Sequence, residues 1–229
     1  MKYDHILPAR FIERPNRFIA FADLSGTTVT CHVKNTGRCR ELLVPGAEIY
    51  IQHHPDAARS KRKTEYSVIG VKKETDYGSL IINMDSQAPN QAAYEWLCRH
   101  NITPDREVRF GNSRFDLAFK HQNTPVFMEV KGVTLEDHGI ARFPDAPTER
   151  GVKHLKELET AVQEGYGACI LFVIAMKGIR SFEANTSTHP EFSQALTHAA
   201  AHGVRLLAYD CLTTPDSLTI DKPVPITLF

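Results

Sequence analysis

Three charged residues near the middle of the chain have the types and spacing of a metal-assisted hydrolytic site. Asp116 lies in the apolar run 115–119, and Glu129 and Lys131 lie in the run 126–131, with a turn predicted between the runs. Residues two apart in a strand share one face, and an antiparallel partner strand would bring Asp116 to that face. Two carboxylates can bind Mg²⁺ or Mn²⁺, and a lysine can orient water or meet developing negative charge. We therefore predict a metal site at Asp116 and Glu129, with Lys131 as a third catalytic residue.

The same three residues also fit an ordinary salt bridge on the surface of a sheet, with Lys131 facing Asp116 or Glu129 across two strands. The neighbouring residues 126–128 and Val130 are apolar, which indicates a largely buried strand. An unpaired charge in such a strand is expensive. This burial favours the metal site, and the salt bridge remains the alternative.

The first part of the chain is predicted to be built from short strands. Five runs alternate apolar and polar residues or end in turn signals, and no good helix pattern separates them. They are residues 17–24, 27–34, 47–54, 66–73 and 78–83. Five short strands within about 85 residues predict a small barrel or a sandwich over residues 1–85.

The pattern changes near Pro89 to alternating helices and strands, which predicts an α/β domain over residues 86–229. The expected order is a helix behind Asn90, three strands, a second helix, a buried strand, a third helix and a last strand. Thr148 is predicted to cap the second helix, and Gly165 to end it. Thr188 and Glu191 have the spacing of a capping box before the third helix.

The composition places the protein among cytoplasmic, reduced proteins. The N-terminus lacks the apolar core of a signal peptide, and no apolar run is long enough to span a bilayer. The five cysteines form no CxxC pair and have no histidine at metal-ligand spacing, which argues against a zinc site.

The net charge is zero, but the charges are distributed unequally along the chain. Residues 1–73 hold 13 Lys/Arg and 7 Asp/Glu, and the remainder holds 14 and 20, so the front domain is expected to face an anionic partner.

Two resemblances give these elements a more specific interpretation. Asp116 and the run Glu129–Lys131 resemble the motif of the PD-(D/E)xK nuclease superfamily, with Phe115 where many members have proline. Four longer stretches, spread over both domains, resemble the sugar fermentation stimulation protein A family. They are residues 32–46, 113–119, 126–135 and 143–158. This resemblance implies an OB-like barrel joined to a nuclease-like domain, and a DNA-binding protein linked to the regulation of sugar (maltose) metabolism genes.

Further candidate residues lie on the two predicted helices that flank the motif. Glu95 could supply the extra acid that nucleases of this superfamily often place near the metal, or it could be a solvated helix residue. Arg150, Lys153 and His154 fall at helical spacing, so they could contact phosphate. The alternative for this second helix is a set of ordinary i,i+4 ion pairs. Glu136 and Asp137 could supply an outer metal ligand, but a solvated loop is the favoured interpretation of these two residues.

The basic loops of the first domain are the predicted DNA-binding surface. Lys34, Asn35, Arg38 and Arg40 surround Gly37, and a glycine turn with adjacent donors can approach a phosphate closely. Loops between strands are where OB-like barrels bind oligonucleotides. A second basic run, residues 59–63, is more typical of a solvated surface.

Together these observations predict a two-domain α/β (α+β) protein: an OB-like β-barrel at 1–85 and a mixed-sheet PD-(D/E)xK nuclease-like domain at 86–229. We expect it to bind DNA largely without sequence preference, because no helix-turn-helix or finger is present to read base edges. One alternative is an active Mg²⁺-dependent nuclease. A second alternative is a metabolic regulator that binds a small molecule or a protein and contacts DNA only weakly. No membrane partner is expected, protein partners are unknown, and a homodimer is left open.

Overall fold

The computed structural model describes residues 1–35, 37, 39–60, 62–111 and 113–228. These residues form two domains that are mostly β-sheet, with three helices. None of the helices in the described part of the chain has both the length and the apolar composition needed to cross a membrane. The predicted division into a barrel and a mixed-sheet domain is confirmed.

The first domain is a six-stranded barrel. Its strands are β1 (Ile6–Asn16), β2 (Ile19–Leu24), β3 (Thr27–Val33), β4 (Glu48–His53), β5 (Tyr66–Thr75) and β6 (Gly78–Asn83). The strand order is β3-β2-β1-β4-β5-β6, and a parallel pairing of β3 with β5 closes the barrel. Long β1 pairs with β2 on one side and β4 on the other, as in an OB barrel. Sequence reasoning missed this strand, because Pro8, Pro15 and several charges hide its alternation.

The barrel interior follows directly from the period-two pattern of its strands. On β2 the side chains of Ala20 and Ala22 are fully buried, and on β3 Cys31 and Val33 point the same way. Ile49 on β4 completes this layer with no exposed surface. On β2 and β3 this alternation leaves only one register that buries the apolar face.

The second domain contains three helices and ten strands among the described residues. In chain order they are α1 (Ala88–Arg99), β7 (Asp105–Phe110), β8 (Ser113–His121), β9 (Thr124–Val133), β10 (Leu135–Asp137), β11 (Ile140–Phe143), α2 (Glu149–Gln163), β12 (Gly167–Ile174), β13 (Ser181–Ala184), α3 (Pro190–Ala201), β14 (Arg205–Thr214), β15 (Ser217–Pro223) and β16 (Ile226–Thr227). The main sheet has the order β15-β14-β12-β9-β8-β7. Its central strand β12 runs parallel to β9 and to β14.

Strand β12 is buried on both faces, as its continuous apolar sequence predicts. Phe172 and Ile174 join the core beneath α2 and α3, and this core continues into the barrel. Leu171 and Val173 join the opposite core, against α1. The sheet is therefore a layer between helices, and its strand ends are fixed in position.

A second sheet has the order β10-β11-β13-β16, and none of its four strands was predicted from the sequence. These strands are two to four residues long. Runs this short carry no readable alternation, so the sheet depends on tertiary pairing.

The predicted helix ends are partly right. The Thr148 hydroxyl accepts from the Gly151 N–H at 3.1 Å, and α2 ends two residues before Gly165, as expected. Helix α1 begins at Ala88 with a proline in its first turn, so Asn90 lies inside the helix and is not its cap. The predicted capping box is wrong as well, since His189 caps α3 without a side-chain hydrogen bond to the described residues.

Candidate active site

Asp116 is fixed at the end of the β8–β9 hairpin by two hydrogen bonds. Backbone pairing between these strands runs from Leu117–Met128 to His121–Thr124. Beyond that point the Asp116 Oδ2 atom accepts from the Val130 N–H at 2.8 Å, so the side chain substitutes for a backbone partner. The Asn90 amide donates to Oδ1 at 2.7 Å. Each carboxylate oxygen has two lone pairs, so one on each oxygen remains for a ligand.

Glu129 is a buried carboxylate with one satisfied and one unsatisfied oxygen. Its side chain is 2% exposed. The Oε1 atom accepts from the Lys131 ammonium at 2.5 Å and from Nδ1 of His154. The Oε2 atom is buried and has no hydrogen-bond partner among the described residues. Because buried polar atoms in proteins are nearly always paired, this oxygen indicates a place for a ligand.

The two carboxylates differ in their electrostatics. Burial, together with the negative charge of Glu129, raises the pKa of Asp116 above its ordinary value. Burial acts in the same direction on Glu129, but hydrogen bonds from His154 and Lys131 outweigh it, so the pKa of Glu129 is lowered. Two neighbouring acids whose pKa values are shifted in opposite directions are typical of sites where a proton or a cation is shared. A cation between them would relieve the repulsion that raises the pKa of Asp116.

Helix α2 brings a histidine and an arginine to the same site. His154 is 4% exposed and donates through Nδ1 to Glu129. Its Nε2 atom accepts from Nε of Arg150 at 3.3 Å, which fixes the tautomer with the proton on Nδ1. Arg150 itself is exposed. The sequence predicts a phosphate contact for His154, but the structure places its ring in the interior, where it positions Glu129.

Lys153 remains on the outer side of α2. Its side chain is 58% exposed, and its ammonium lies 3.6 Å from Glu157. Lys153 and Arg150 are thus available to solvent, whereas His154, on the same helix, faces inward.

Three of the predicted acids have partners outside this cluster. Glu95 accepts from the amino group of Met1 at 2.7 Å and from Gln91 at 2.6 Å. Glu136 is not in a solvated loop: its side chain is 1% exposed and binds the Lys73 ammonium of the barrel at 2.5 Å. Tyr77 and the Gly139 N–H also donate to Glu136. Asp137, the other suggested outer ligand, is exposed and ion-pairs with Arg142 at 3.4 Å.

Sequence reasoning missed Asn90 as a partner of Asp116 and His154 as a partner of Glu129. Both contacts join a helix to a strand across the domain, so no local spacing reveals them. One feature of the sequence could have indicated the first contact. Asn90 has a side-chain amide and lies at the start of a helix that must pack against the hairpin.

The predicted DNA-binding loop divides into inward and outward residues. Lys34 is bound to the buried Asp85 at 2.6 Å. The Asn35 Oδ1 atom accepts from the Gly37 N–H at 2.8 Å, which forms the expected tight turn. Arg40 is exposed and lines a surface groove of about 440 Å³. Arg38 lies outside the described residues.

The loop is supported by contacts that the sequence did not reveal. Arg14 donates to the backbone carbonyls of Asn35 and Gly37 at 2.8 and 2.9 Å. Gly37 also approaches the second domain so closely that a β-carbon would lie 2.2 Å from Asp145 Oδ2. A larger residue at position 37 would require Asp145 to move, and the contact brings the loop close to Asp145, which lies five residues before Arg150.

The fold and the site together define a class: a small OB barrel joined to a mixed-sheet domain that holds an acidic pair beside a lysine. Residues 12–82 match the family model described as the SfsA N-terminal OB domain. Residues 87–217 match the model described as the sugar fermentation stimulation protein RE domain. The chain belongs to the sugar fermentation stimulation protein family.

Relatives match over the full length of the chain. The sugar fermentation stimulation protein homologs of Clostridium beijerinckii and Ruminiclostridium cellulolyticum are 48% and 49% identical, and each alignment covers 100% of both chains. A solved structure, that of Pyrococcus furiosus SfsA in complex with Ca²⁺, superimposes with a TM-score of 0.87. It is 24% identical, and the match covers 100% of this chain and 98% of that one, which shows a shared fold. The family name supports a link to sugar metabolism.

Proposed function

We propose that this protein binds DNA through its phosphates and holds a divalent cation between Asp116 and Glu129, where a phosphodiester bond is hydrolysed. The observation that carries the proposal is the buried Oε2 atom of Glu129, which has no hydrogen-bond partner among the described residues. Leaving such an atom unpaired costs about 1–3 kcal/mol. Ligation of a cation would remove that cost.

The residues present fit a hard cation such as Mg²⁺ or Mn²⁺. Asp116 keeps a free lone pair on each oxygen, and Glu129 offers Oε2. Oxygen donors of this kind, few in number, suit Mg²⁺, which completes its shell with water and phosphate oxygens. The related Pyrococcus furiosus structure was solved in complex with Ca²⁺, another oxygen-preferring cation, which supports the proposal. When bound, the cation would polarise the phosphate and lower the pKa of a bound water.

Lys131 supplies the positive charge for the transition state. Its side chain is 16% exposed, and the bond to Glu129 uses one of its three N–H donors. The other donors can reach a phosphate oxygen on which negative charge develops. His154 keeps Glu129 ionised and in place, and Arg150, exposed behind His154, can bind the adjacent phosphate.

The DNA path is proposed from the exposed cations on both domains. Arg40 lies on the barrel loop, and Arg150 and Lys153 lie on α2. Gly37 in the loop touches Asp145, which precedes α2, so the two groups of cations belong to neighbouring surfaces. Contacts of this type bind phosphates and carry no sequence information. The proposed regulation of sugar (maltose) metabolism genes therefore rests on the family link and not on these contacts, which select no sequence.

A second candidate function is DNA binding without cleavage. The Lys131–Glu129 ion pair at 2.5 Å, reinforced by His154, satisfies Oε1 without any cation. A charge network that is already compensated can be purely structural.

One set of measurements separates the two candidates. Purified protein is incubated with duplex, single-stranded and branched DNA, with and without Mg²⁺ or Mn²⁺, and metal binding is followed by calorimetry. If the protein is a nuclease, we expect metal-dependent cleavage that is abolished in Asp116→Asn. The control variant Asp105→Asn, which changes an exposed acid on β7, should still cleave DNA. DNA binding without cleavage under every condition would support the second candidate. Equal metal binding by wild type and Asp116→Asn would identify the cluster as a salt bridge.

A further inference from the structure

We propose a second metal site, for a transition metal ion of the Zn²⁺ class, formed by Glu159 on α2 with His198 and His202 at the end of α3. Each of the three residues offers one ligand atom, and these atoms all lie within 4.8 Å of one another. That spacing matches three ligands around a single ion. Neither the proposed nuclease site nor the DNA surface uses these residues.

The helices themselves create this arrangement. His198 and His202 are four residues apart, so they lie on the same side of α3, and their rings stack with centroids 4.0 Å apart. Glu159 reaches them from α2, with Oε2 3.0 Å from Nδ1 of His198. The Glu159 side chain is 11% exposed, whereas that of His198 is 60% exposed. A buried carboxylate beneath two exposed imidazoles forms a site that is open to ions from solvent.

The ring nitrogens are prepared for ligation. Nδ1 of His202 lies 2.8 Å from the backbone carbonyl of His198. A carbonyl can only accept, so Nδ1 carries the proton and Nε2 keeps its lone pair. Metal-binding histidines are commonly oriented by this type of N–H bond to a carbonyl or a carboxylate. On His198, Nδ1 is the atom that faces Glu159 Oε2, so an ion would take the place of the proton between these two atoms, and the His198 proton would lie on Nε2.

The chemistry of the donors selects the metal. Two imidazoles and one carboxylate suit Zn²⁺, and also Co²⁺, Ni²⁺ and Cu²⁺, whereas Mg²⁺ prefers a shell of oxygens. The site therefore differs in metal preference from Asp116 and Glu129. The absence of paired cysteines argues only against a zinc site with thiolate ligands. The two histidines spaced four residues apart on α3 can bind zinc through their ring nitrogens.

Such an ion would tie α2 to α3. Both helices cover the same face of the main sheet, and α2 also carries Arg150 and His154. An ion that binds only the folded chain stabilises it in proportion to the logarithm of its concentration. The expected consequence is a thermal midpoint that rises with added Zn²⁺.

The test uses full-length protein without a histidine tag, stripped with a chelator and titrated with ZnCl₂ by calorimetry and with CoCl₂ by visible absorption. We expect one ion per chain, and binding weaker by about tenfold or more in His198→Ala and in His202→Ala. The matched control is His100→Ala. That exposed histidine also follows a helix and places Nδ1 2.8 Å from the carbonyl of Trp96, four residues earlier.

Three results would overturn the proposal: no stoichiometric binding by wild type, undiminished binding by His202→Ala, or equal loss in the control. Glu159→Gln alters a buried residue and can unfold the helix pair, so the exposed His202 decides the question. Asp116→Asn must leave Zn²⁺ binding intact. Loss of Zn²⁺ binding in that variant would assign the ion to the first site and not to α2 and α3.

Discussion

Glu129 and His154, 25 residues apart on β9 and α2, share a buried hydrogen bond. The bond joins the strand that holds the acidic pair to the helix that presents Arg150. The position of α2 and the charge on Glu129 are therefore coupled, because moving the helix would remove a donor from a carboxylate that is 2% exposed.

Replacing His154 by alanine should lower the free energy of unfolding by about 1–3 kcal/mol, because a buried carboxylate loses a donor. Urea unfolding measures the change. His154→Asn, which keeps an N–H donor at a similar position, should recover part of the loss. His121→Ala, at an exposed histidine on β8, should have little effect. A fully stable His154→Ala variant would mean that the bond contributes nothing.

Lys131→Met should abolish cleavage while leaving DNA affinity nearly intact. The ammonium beside Glu129 stabilises charge that develops only in the transition state, so its loss should lower kcat more than it weakens binding. Single-turnover cleavage and binding titrations on the same DNA measure the two effects. A parallel loss of affinity and rate would instead make Lys131 an ordinary phosphate contact.

Replacing Arg38 and Arg40 by alanine together should weaken DNA binding equally on every sequence. Each phosphate contact releases counterions, so the plot of log affinity against log salt should become shallower by about two. Arg114→Ala, at an exposed arginine paired with Glu107, serves as the control. A loss confined to one sequence would mean that these arginines read bases. An unchanged slope would place the DNA elsewhere, across Arg150 and Lys153.

The acid sensitivity of the fold should depend on Glu136. Burial raises its pKa, but hydrogen bonds from Lys73, Tyr77 and Gly139 outweigh burial and hold the pKa below its ordinary value of 4.5. A carboxyl with a depressed pKa stabilises the fold above the unfolded pKa, and this contribution disappears as the pH falls through the folded pKa.

Glu136→Gln should therefore be less stable than wild type near neutral pH, and the difference should shrink as the pH falls below 4.5. Urea unfolding from about pH 7 to about pH 3 tests this expectation. Glu65→Gln, at an exposed site, should show a constant and small difference. A Glu136→Gln difference that stays constant over the same range would refute the assignment.

Much of the fold was predictable because its signals are local. The turn at 123–125 and the apolar runs beside it fixed the β8–β9 hairpin, and the threonine and glycine around α2 fixed its ends. The hairpin alone was enough to place Asp116, Glu129 and Lys131 near one another. Strand β1 was missed because Pro8 and Pro15 resemble turn signals, although Pro8 pairs within the sheet.

The supporting contacts of the site were not predictable, because they join residues far apart in sequence. The amide of Asn90 reaches Asp116 only because α1 packs against the hairpin. Lys34 has the composition of a DNA contact, yet it neutralises the buried Asp85. Spacing along the chain cannot distinguish a solvated cation from one that compensates a buried acid.

The Lys73–Glu136 ion pair and the core shared by the two domains lead us to expect that the domains unfold together. Glu136 accepts from Lys73 and Tyr77 of the barrel and from Gly139 of its own domain. A fragment cut between the domains would remove two donors from this carboxylate and would split the shared core. We therefore expect removal of the barrel to lower the melting temperature of the domain that carries the acidic pair.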